Sequence, residues 1–305
     1  MRVGFTLPNL GPAAGPRLIA EAARRAEALG YDTLWVTERL LFPVKPQTPY
    51  VGSADGAWPE AFKVALDPLE TLTYAAAQTG RIGLGTNVLV LPYYHPLMLA
   101  RRLTTLDILS GGRLRVGLGL GWAKDEFDAV GASMAERGRR ADEFLQVLKA
   151  IWTTDPVEFR GAYYQVPRSI IGAKPVQKPH PPIYLAAYTP AGLRRAAALA
   201  HGWTPVGLPL DAMSQMIPQL REAARAAGRD PVTLEVIVRA NVHVTPEPLG
   251  GKRGIFGGSL EQIREDVEAV RALGVSEVFF DPAFSPEGLA PETYLQTMER
   301  LRQLV

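Results

Sequence analysis

The sequence predicts an α/β fold, a (β/α)8 TIM barrel. Strand-like and helix-like segments alternate from one end to the other, which indicates parallel strands joined by helices. Eight such units can be counted. The chain has 305 residues, enough for a barrel of roughly 250 residues with insertions. We therefore expect a single domain over residues 1–305; a doubly wound open sheet is the alternative, and the number of units disfavours it.

Each strand is predicted from a short apolar run, and each helix from apolar residues that recur with helical spacing. The predicted strands span residues 3–7, 33–37, 82–91, 113–118, 183–187, 202–206, 233–244 and 275–280. The predicted helices span residues 17–29, 68–78, 97–109, 136–152, 190–200, 211–227, 259–273 and 291–304. In the first helix one face carries Leu18, Ala22, Ala26 and Leu29, and Gly30 follows at a position typical of a C-terminal cap.

The surplus length lies in three insertions, after predicted strands two, four and seven. Residues 39–67 are rich in proline, glycine and aromatic residues, and residues 153–182 contain a predicted hairpin, VEFRGAYYQV. Residues 245–258 include Lys252 and Arg253, which either hold an anionic substrate or solvate a loop. Long loops in a compact domain are typical of lids and binding segments.

Composition excludes several classes of function. The chain has no cysteine, which rules out disulfides, thiolate catalysis and cysteine-bound metals. Its four histidines lack metal-ligand spacing, so we expect no metal. A net charge of +2 does not favour nucleic acid or a membrane surface as partner. No signal peptide and no apolar run long enough to span a bilayer is evident, so a cytoplasmic location is expected.

The stretch GGRLRVGLGLGWAKDEFDAVG is the most informative segment. Gly117, Gly119 and Gly121 alternate, which bares one face of the strand, so that a flat ligand can lie against the main chain. The spacing is not that of the dinucleotide-binding fingerprint. The glycines otherwise serve only a tight strand exit and close helix packing.

Polar residues at the ends of predicted strands are candidates for chemistry. Glu38 and Arg39 follow the second strand, and they either bind a ligand or form a surface ion pair. Asn87 interrupts an apolar strand, which indicates a bulge or a bound ligand. Thr189 precedes Pro190 and is a predicted helix N-cap, a position where phosphate can bind. Ser259 and Gln262 form a predicted capping box.

Taken together, these segments resemble the luciferase-like monooxygenase superfamily, and most closely its coenzyme F420-dependent oxidoreductase branch. The resemblance covers nearly the whole chain. It is carried by GFTLPN, TLWVTERLL, RIGLGTNVLVLPYYHPLMLARRLTTLDILSGGRLRVGLGLGW, VEFRGAYYQV and KPVQKPHPPIYLAAYTPAGLRRAAALAHGW. The segment from Arg81 to Trp122 is the most specific.

The resemblance implies a deazaflavin at the C-terminal ends of the strands. It maps a ring-supporting bulge with a non-proline cis peptide to Asn87–Val88, and an acid that contacts the ring to Glu38. Arg39 stands where relatives often have a catalytic histidine. Trp122 stands where sugar-phosphate dehydrogenases have an acid, which argues against such substrates.

The turn after the fifth strand, which holds the phosphate-bearing tail in relatives, maps to Ala187, Tyr188 and Thr189. Many relatives have glycines in this turn. We expect further cofactor contacts from Gly119, Trp122 and Asp125. Trp58, Tyr93 and Trp122 are the candidates for substrate contacts.

These assignments predict an oxidoreductase that transfers hydride between coenzyme F420 and a small organic substrate, with Glu38 and Arg39 as the catalytic candidates. The resemblance further implies a homodimer. An FMN-dependent monooxygenase of the same superfamily is the nearest alternative. A non-catalytic flavin- or deazaflavin-binding protein is another, and a barrel hydrolase or lyase without cofactor is a more distant one.

Overall fold

The computed structural model describes residues 1–251 and 253–305, and only the backbone of Glu287. Lys252, one of the two basic residues noted above, lies outside the described residues. The strands are β1 (Arg2–Thr6), β2 (Thr33–Val36), β3 (Gly83–Thr86), β4 (Leu89–Val90), β5 (Leu114–Gly119), β6 (Val157–Arg160), β7 (Gln165–Ser169), β8 (Ile183–Leu185), β9 (Gly202–Trp203), β10 (Glu235–Asn241), β11 (His243–Val244), β12 (Gly257–Gly258) and β13 (Glu277–Asp281).

Nine α-helices lie within the described residues, and they cover the outside of the sheet. They are α1 (Pro16–Ala28), α2 (Pro68–Ala76), α3 (Pro96–Leu109), α4 (Lys124–Ala129), α5 (Arg137–Thr153), α6 (Pro190–Leu199), α7 (Leu210–Ala226), α8 (Leu260–Ala272) and α9 (Pro291–Arg302). None of these helices has the length and hydropathy needed to cross a membrane.

The sheet closes into the predicted eight-position parallel barrel. Its order is β3-β2-β1-β13-β10-β9-β8-β5-β4, and a β3–β5 pairing closes the ring. The segment β4 continues the position of β3 around the ring, since both pair with β5. The (β/α)8 fold class is thus confirmed. In this ring β10 lies four positions from β3 in either direction, so the two strands face each other across the barrel.

Several predicted boundaries were wrong. The predicted strand 202–206 ends at Trp203, and Pro205 lacks the N–H needed to continue a ladder. The predicted strand 233–244 is divided, because His243 leaves the barrel to pair with Gly257. The short helix α4 was not predicted.

Local signals in the sequence were read correctly at other sites. The hairpin is formed by β6 and β7. The Thr189 hydroxyl caps α6, and Ser259 with Gln262 forms the capping box of α8. Gly30 follows α1 with φ of 78°, the left-handed conformation that glycine adopts without strain.

Large side chains fill the lower lumen of the barrel and form the floor of the space above it. Trp35, Tyr184, Ile237 and Phe279 make one buried cluster, in which Trp35 stacks on Phe279 with ring centroids 4.9 Å apart. Gly85, on the neighbouring strand, leaves the room that the Trp35 ring occupies. The lumen is therefore closed below its C-terminal end, and the space at that end lies above this floor.

A β-bulge interrupts the third barrel position, as predicted. Gly85 pairs with Arg115 and Leu89 pairs with Leu118, so three residues of one strand face two of the other. The Thr86 hydroxyl replaces the missing ladder bonds: it accepts from the Gly117 N–H at 2.9 Å and donates to the Gly117 carbonyl at 2.8 Å. A Cβ atom at position 117 would overlap the Thr86 carbonyl oxygen. The bulge therefore requires glycine at this position.

We predict that Gly117→Ala lowers the free energy of unfolding by at least about 2 kcal/mol, because the added methyl group forces the bulge away from β5. Urea unfolding measures the change. Gly172→Ala is the matched control, since a Cβ atom there meets no atom within 4 Å. Equal stability of the two variants would contradict the role assigned to Gly117.

Candidate functional site

A cavity of about 1170 Å³ lies at the C-terminal end of the barrel. Residues from the exits of β2, β4, β5, β8, β9, β10 and β13 line it, as does the 50–62 segment of the first insertion. This is the end at which barrel enzymes place their active sites. The cavity is large enough for a tricyclic cofactor together with a small substrate.

The bulge forms one wall of the cavity. The Asn87–Val88 peptide is cis, at the bond predicted from the resemblance. The Asn87 amide donates to the Thr204 hydroxyl at 2.7 Å, while Asn87 Oδ1 is buried without a partner among the described residues. A Cβ atom at Gly119 would lie 2.6 Å from Val88 Cγ2, so glycine lets Val88 reach into the cavity wall.

Glu38 ties the exit of β2 to the segment after the bulge. Its carboxylate accepts the Val90 N–H at 2.6 Å and the Tyr94 hydroxyl. Burial raises the pKa of Glu38 to about 7, although both hydrogen bonds oppose the rise. The carboxyl group therefore holds or releases a proton near neutral pH, at the edge of the cavity.

Arg39 is held by a buried carboxylate that the sequence analysis did not select. Arg39 Nη1 lies 3.3 Å from Glu126 Oε2, and both side chains are almost completely buried. Glu126 also accepts the Leu40 N–H and the Tyr93 hydroxyl, each at 2.8 Å. It thereby fastens α4 to the exits of two barrel strands and fixes the guanidinium group in place.

An aromatic cluster covers the cavity and includes Tyr50, Trp58, Phe62 and Trp122. The Trp58 and Trp122 rings are 4.8 Å apart, and the Arg39 guanidinium lies 5.1 Å from the Trp122 ring. We call this cluster the aromatic roof. It offers apolar, flat surfaces to whatever lies beneath it.

Positive charge gathers where α5 and α6 meet the cavity. Ala187, Tyr188 and Thr189 line this end, and α6 begins directly after them. Arg195 is paired with Asp142. Arg137 donates to the Met134 carbonyl at 2.9 Å and has no acidic partner among the described residues. The start of α6 and the unpaired Arg137 make this end suited to an anion.

The wall opposite the bulge carries Arg239 and Asn241, both on β10. Arg239 forms an ion pair with Asp281 at the end of β13, and its guanidinium lies 5.1 Å from the Phe284 ring centroid. Asn241 Oδ1 is buried without a partner among the described residues.

The structure brings most of the sequence-predicted site residues together around one cavity. Those that line it are Glu38, Arg39, Trp58, Asn87, Val88, Gly119, Trp122, Ala187, Tyr188 and Thr189. Asp125 does not line it; its carboxylate accepts the Gln47 N–H on the outer side of α4. Tyr93 also lies behind the wall, where its ring packs on Phe127.

The residues missed by sequence reasoning had weak signals. Arg239 and Asn241 alternate with apolar residues in EVIVRANVHV, a pattern that places two polar side chains inside the barrel. Arg137 and Arg195 lie among other surface arginines on their helices. Glu126 could not be distinguished from its acidic neighbours Asp125 and Asp128.

Comparison with known protein families gives a match to the family described as luciferase-like monooxygenase, over residues 1–248. An uncharacterised protein of Mycobacterium tuberculosis is 36% identical over 234 residues, which are 75% of this chain and 81% of that protein.

Two relatives with assigned activities use different cofactors. The F420-dependent glucose-6-phosphate dehydrogenase of Amycolatopsis mediterranei is 31% identical over 70% of this chain and 61% of its own length. The FMNH2-dependent dimethylsulfone monooxygenase of Pseudomonas putida is 31% identical over 64% and 53%.

Solved structures share the fold at low sequence identity. Monooxygenase RslO1 from Streptomyces bottropensis matches with a TM-score of 0.83 and 23% identity, over 100% of this chain and 98% of its own. The F420-dependent tetrahydromethanopterin reductase from Methanopyrus kandleri matches with a TM-score of 0.75 and 19% identity, over 100% and 98%.

Glu38 should make stability depend on pH. The pKa of Glu38 is about 7 in the folded chain against 4.5 ordinarily, so the folded state holds the proton more tightly. The contribution of this proton to the free energy of unfolding is fully present below pH 4.5 and is lost as the pH rises through about 7. We predict that Glu38→Gln gains stability relative to the natural protein over this range, by about 3 kcal/mol in total.

Urea unfolding from pH 4 to 8 (roughly the range spanned by these pKa values) measures this gain. Glu158→Gln, at an exposed carboxylate of the hairpin, is the matched control for the loss of one acidic side chain. A constant difference between Glu38→Gln and the natural protein at all pH values would contradict the assignment.

Removing the charge of Glu126 should destabilise the fold. Glu126→Gln leaves the buried Arg39 guanidinium without its counter-charge, so we expect a loss of about 3 kcal/mol in the free energy of unfolding. Asp128→Asn on the same helix removes an exposed ion pair with Lys124 and should leave the free energy of unfolding nearly unchanged. Denaturant titration of both variants checks this, and equal losses would refute it.

Proposed function

The chain belongs to the luciferase-like monooxygenase family, and on that premise we propose that it is an oxidoreductase that transfers hydride between coenzyme F420 and a small organic substrate. The observation that carries the choice of cofactor is the charge around the cavity. Four arginines line it, and three of them are paired with an acid: Arg39 with Glu126, Arg195 with Asp142 and Arg239 with Asp281. Arg137 has no acidic partner among the described residues, so it supplies the uncompensated positive charge.

The residues of the bulge wall fit a flat, polar-edged ring. Val88 projects over the bare backbone at Gly119, where an added Cβ atom would lie 2.6 Å from Val88 Cγ2. Asn87 Oδ1, a buried acceptor without a partner among the described residues, suits a ring N–H. These features are compatible with a deazaflavin and with a flavin.

The cationic end of the cavity favours F420 over FMN. The tail of F420 carries a phosphodiester and several carboxylates, whereas FMN ends in one phosphate. The start of α6 with Thr189 suits one phosphate. Arg137, the first residue of α5, lines the same cavity and has no counter-charge among the described residues, so it suits the additional negative charge of the longer tail.

In this proposal the bound cofactor supplies the carbon that takes or gives hydride. The chain positions the cofactor and the substrate, keeps water away from them and controls a proton at Glu38. Burial raises the pKa of Glu38 to about 7, so its carboxyl group, which accepts from the Tyr94 hydroxyl and the Val90 N–H, holds or releases a proton near neutral pH. The aromatic roof excludes water from the substrate, and Glu126 keeps Arg39 immobile beneath it. Trp122 in this roof favours an apolar substrate over a sugar phosphate.

Titration with oxidised F420 and with FMN tests the choice of cofactor. We predict saturable binding of F420, followed by its fluorescence, with FMN bound at least about tenfold more weakly because it leaves Arg137 unused. Reduction of F420 by substrate then demonstrates activity. Tight FMN binding without an F420 signal would indicate the monooxygenase alternative, and F420 binding without turnover on any substrate would indicate a carrier.

A charge variant locates the tail. Arg137→Gln should weaken F420 binding about fivefold or more, since one cation facing a polyanion is removed. Arg139→Gln is the matched control, because Arg139 lies on the same helix, is exposed and does not line the cavity. An equal effect of the two variants would show that the tail does not lie along Arg137.

A further inference from the structure

Arg239 is a buried cation whose hydrogen-bonding capacity is largely unused. Its side chain is 6% exposed and ion-paired with Asp281, which is completely buried. Arg239 Nε is buried and has no acceptor among the described residues. Buried N–H groups are rarely left unpaired, so this one points to an acceptor supplied from outside the chain.

Asn241, on the same face of β10, has an acceptor that lacks a hydrogen-bond donor. It lies two residues further along the strand, so both side chains point into the cavity. Its Oδ1 is buried and has no donor among the described residues. Apart from the two atoms that form the ion pair with Asp281, an unpaired donor, Arg239 Nε, and an unpaired acceptor, Asn241 Oδ1, thus belong to neighbouring side chains on one face of β10.

Arg239 and Asn241 lie on the wall of the cavity opposite the bulge that we propose as the support of the cofactor ring. Strand β10 faces β3 across the barrel, so Arg239 and Asn241 look toward the Asn87–Val88 bulge from the other side of the cavity. They also adjoin the aromatic roof, since Arg239 contacts the Phe284 ring and Phe284 packs on Phe62. A substrate between ring and roof would meet them.

The charges of Arg239 and Asp281 indicate which kind of substrate group can bind beside them. Asp281 already neutralises Arg239, so a second anion would meet a carboxylate behind the guanidinium. A neutral hydroxyl group satisfies both deficits, because it accepts from Arg239 and donates to Asn241. A carbonyl oxygen satisfies only the first.

We infer that Arg239 and Asn241 bind a hydroxyl group of the substrate, and that the substrate is therefore an alcohol with an apolar body. The inference rests on the proposed function for the identity of the reaction, but not for the binding itself. Arg239 recognises the oxygen, Asn241 recognises its proton, and Asp281 disfavours carboxylates.

Four probes of one shape test this: toluene, benzaldehyde, benzyl alcohol and benzoate. Binding is followed by calorimetry on the free protein and, separately, on the F420-loaded protein. In the natural protein we expect Kd to fall about fivefold from toluene to benzaldehyde and again to benzyl alcohol, with benzoate weakest. The tightest binding for benzoate, or equal binding of all four probes, would overturn the inference.

Two variants assign the two contacts. Asn241→Ala should weaken the binding of benzyl alcohol until its Kd equals that of benzaldehyde, and it should leave the Kd of benzaldehyde unchanged. The double variant Arg239→Met with Asp281→Asn leaves no buried charge unpaired. In this variant the Kd of benzyl alcohol and the Kd of benzaldehyde should both rise to that of toluene. If either variant weakened the binding of toluene as much as that of benzyl alcohol, the assignment would be contradicted.

F420 titration of Asn241→Ala separates this inference from the proposed function. Unchanged F420 affinity is expected, and a tenfold loss would overturn the inference by making Asn241 a cofactor contact. If the natural protein does not bind F420, the proposed function fails, while the order of the four probes on the free protein still decides the role of Arg239 and Asn241.

Discussion

The close approach of Thr86 to Gly117 is the contact on which the site depends. The absence of a side chain at position 117 lets the third barrel position carry one extra residue, and the Thr86 hydroxyl supplies the hydrogen bonds that the bulge removes. The extra residue turns Asn87 and Val88 to the cavity. It also presents the Val90 N–H to Glu38, so that a carboxylate can be buried at the edge of the cavity.

Charge is arranged so that the two halves of the cavity differ. On the side of the roof, Arg39 and Arg239 are each neutralised from behind by a fully buried acid, Glu126 or Asp281. Such pairs position a guanidinium group without creating a strong field. At the start of α6, Arg137 keeps its charge. An apolar substrate and an anionic cofactor tail therefore find separate regions in one cavity.

The sequence allowed the barrel and the cap of α6 to be predicted from local patterns, namely periodicity and Thr-Pro at a helix start. The bulge at Asn87–Val88 was predicted from the resemblance to a family, because a polar residue within an apolar strand left a bulge and a bound ligand as alternatives. It did not allow a choice between neighbouring residues of like chemistry. Asp125 was selected, but the rotation of the six-residue helix α4 turns Glu126 inward and Asp125 outward. Likewise Tyr94 reaches Glu38, whereas Tyr93 lies behind the wall. Such rotations are set by packing across the barrel, which no local pattern records.

The position of the ring in a crystal structure of the F420 complex tests the central claim most directly. The account predicts that the deazaflavin lies against Asn87 and Val88, with its tail toward Thr189 and Arg137 and its free face toward Arg239. A ring bound elsewhere in the cavity, or a tail directed away from the start of α6, would contradict it.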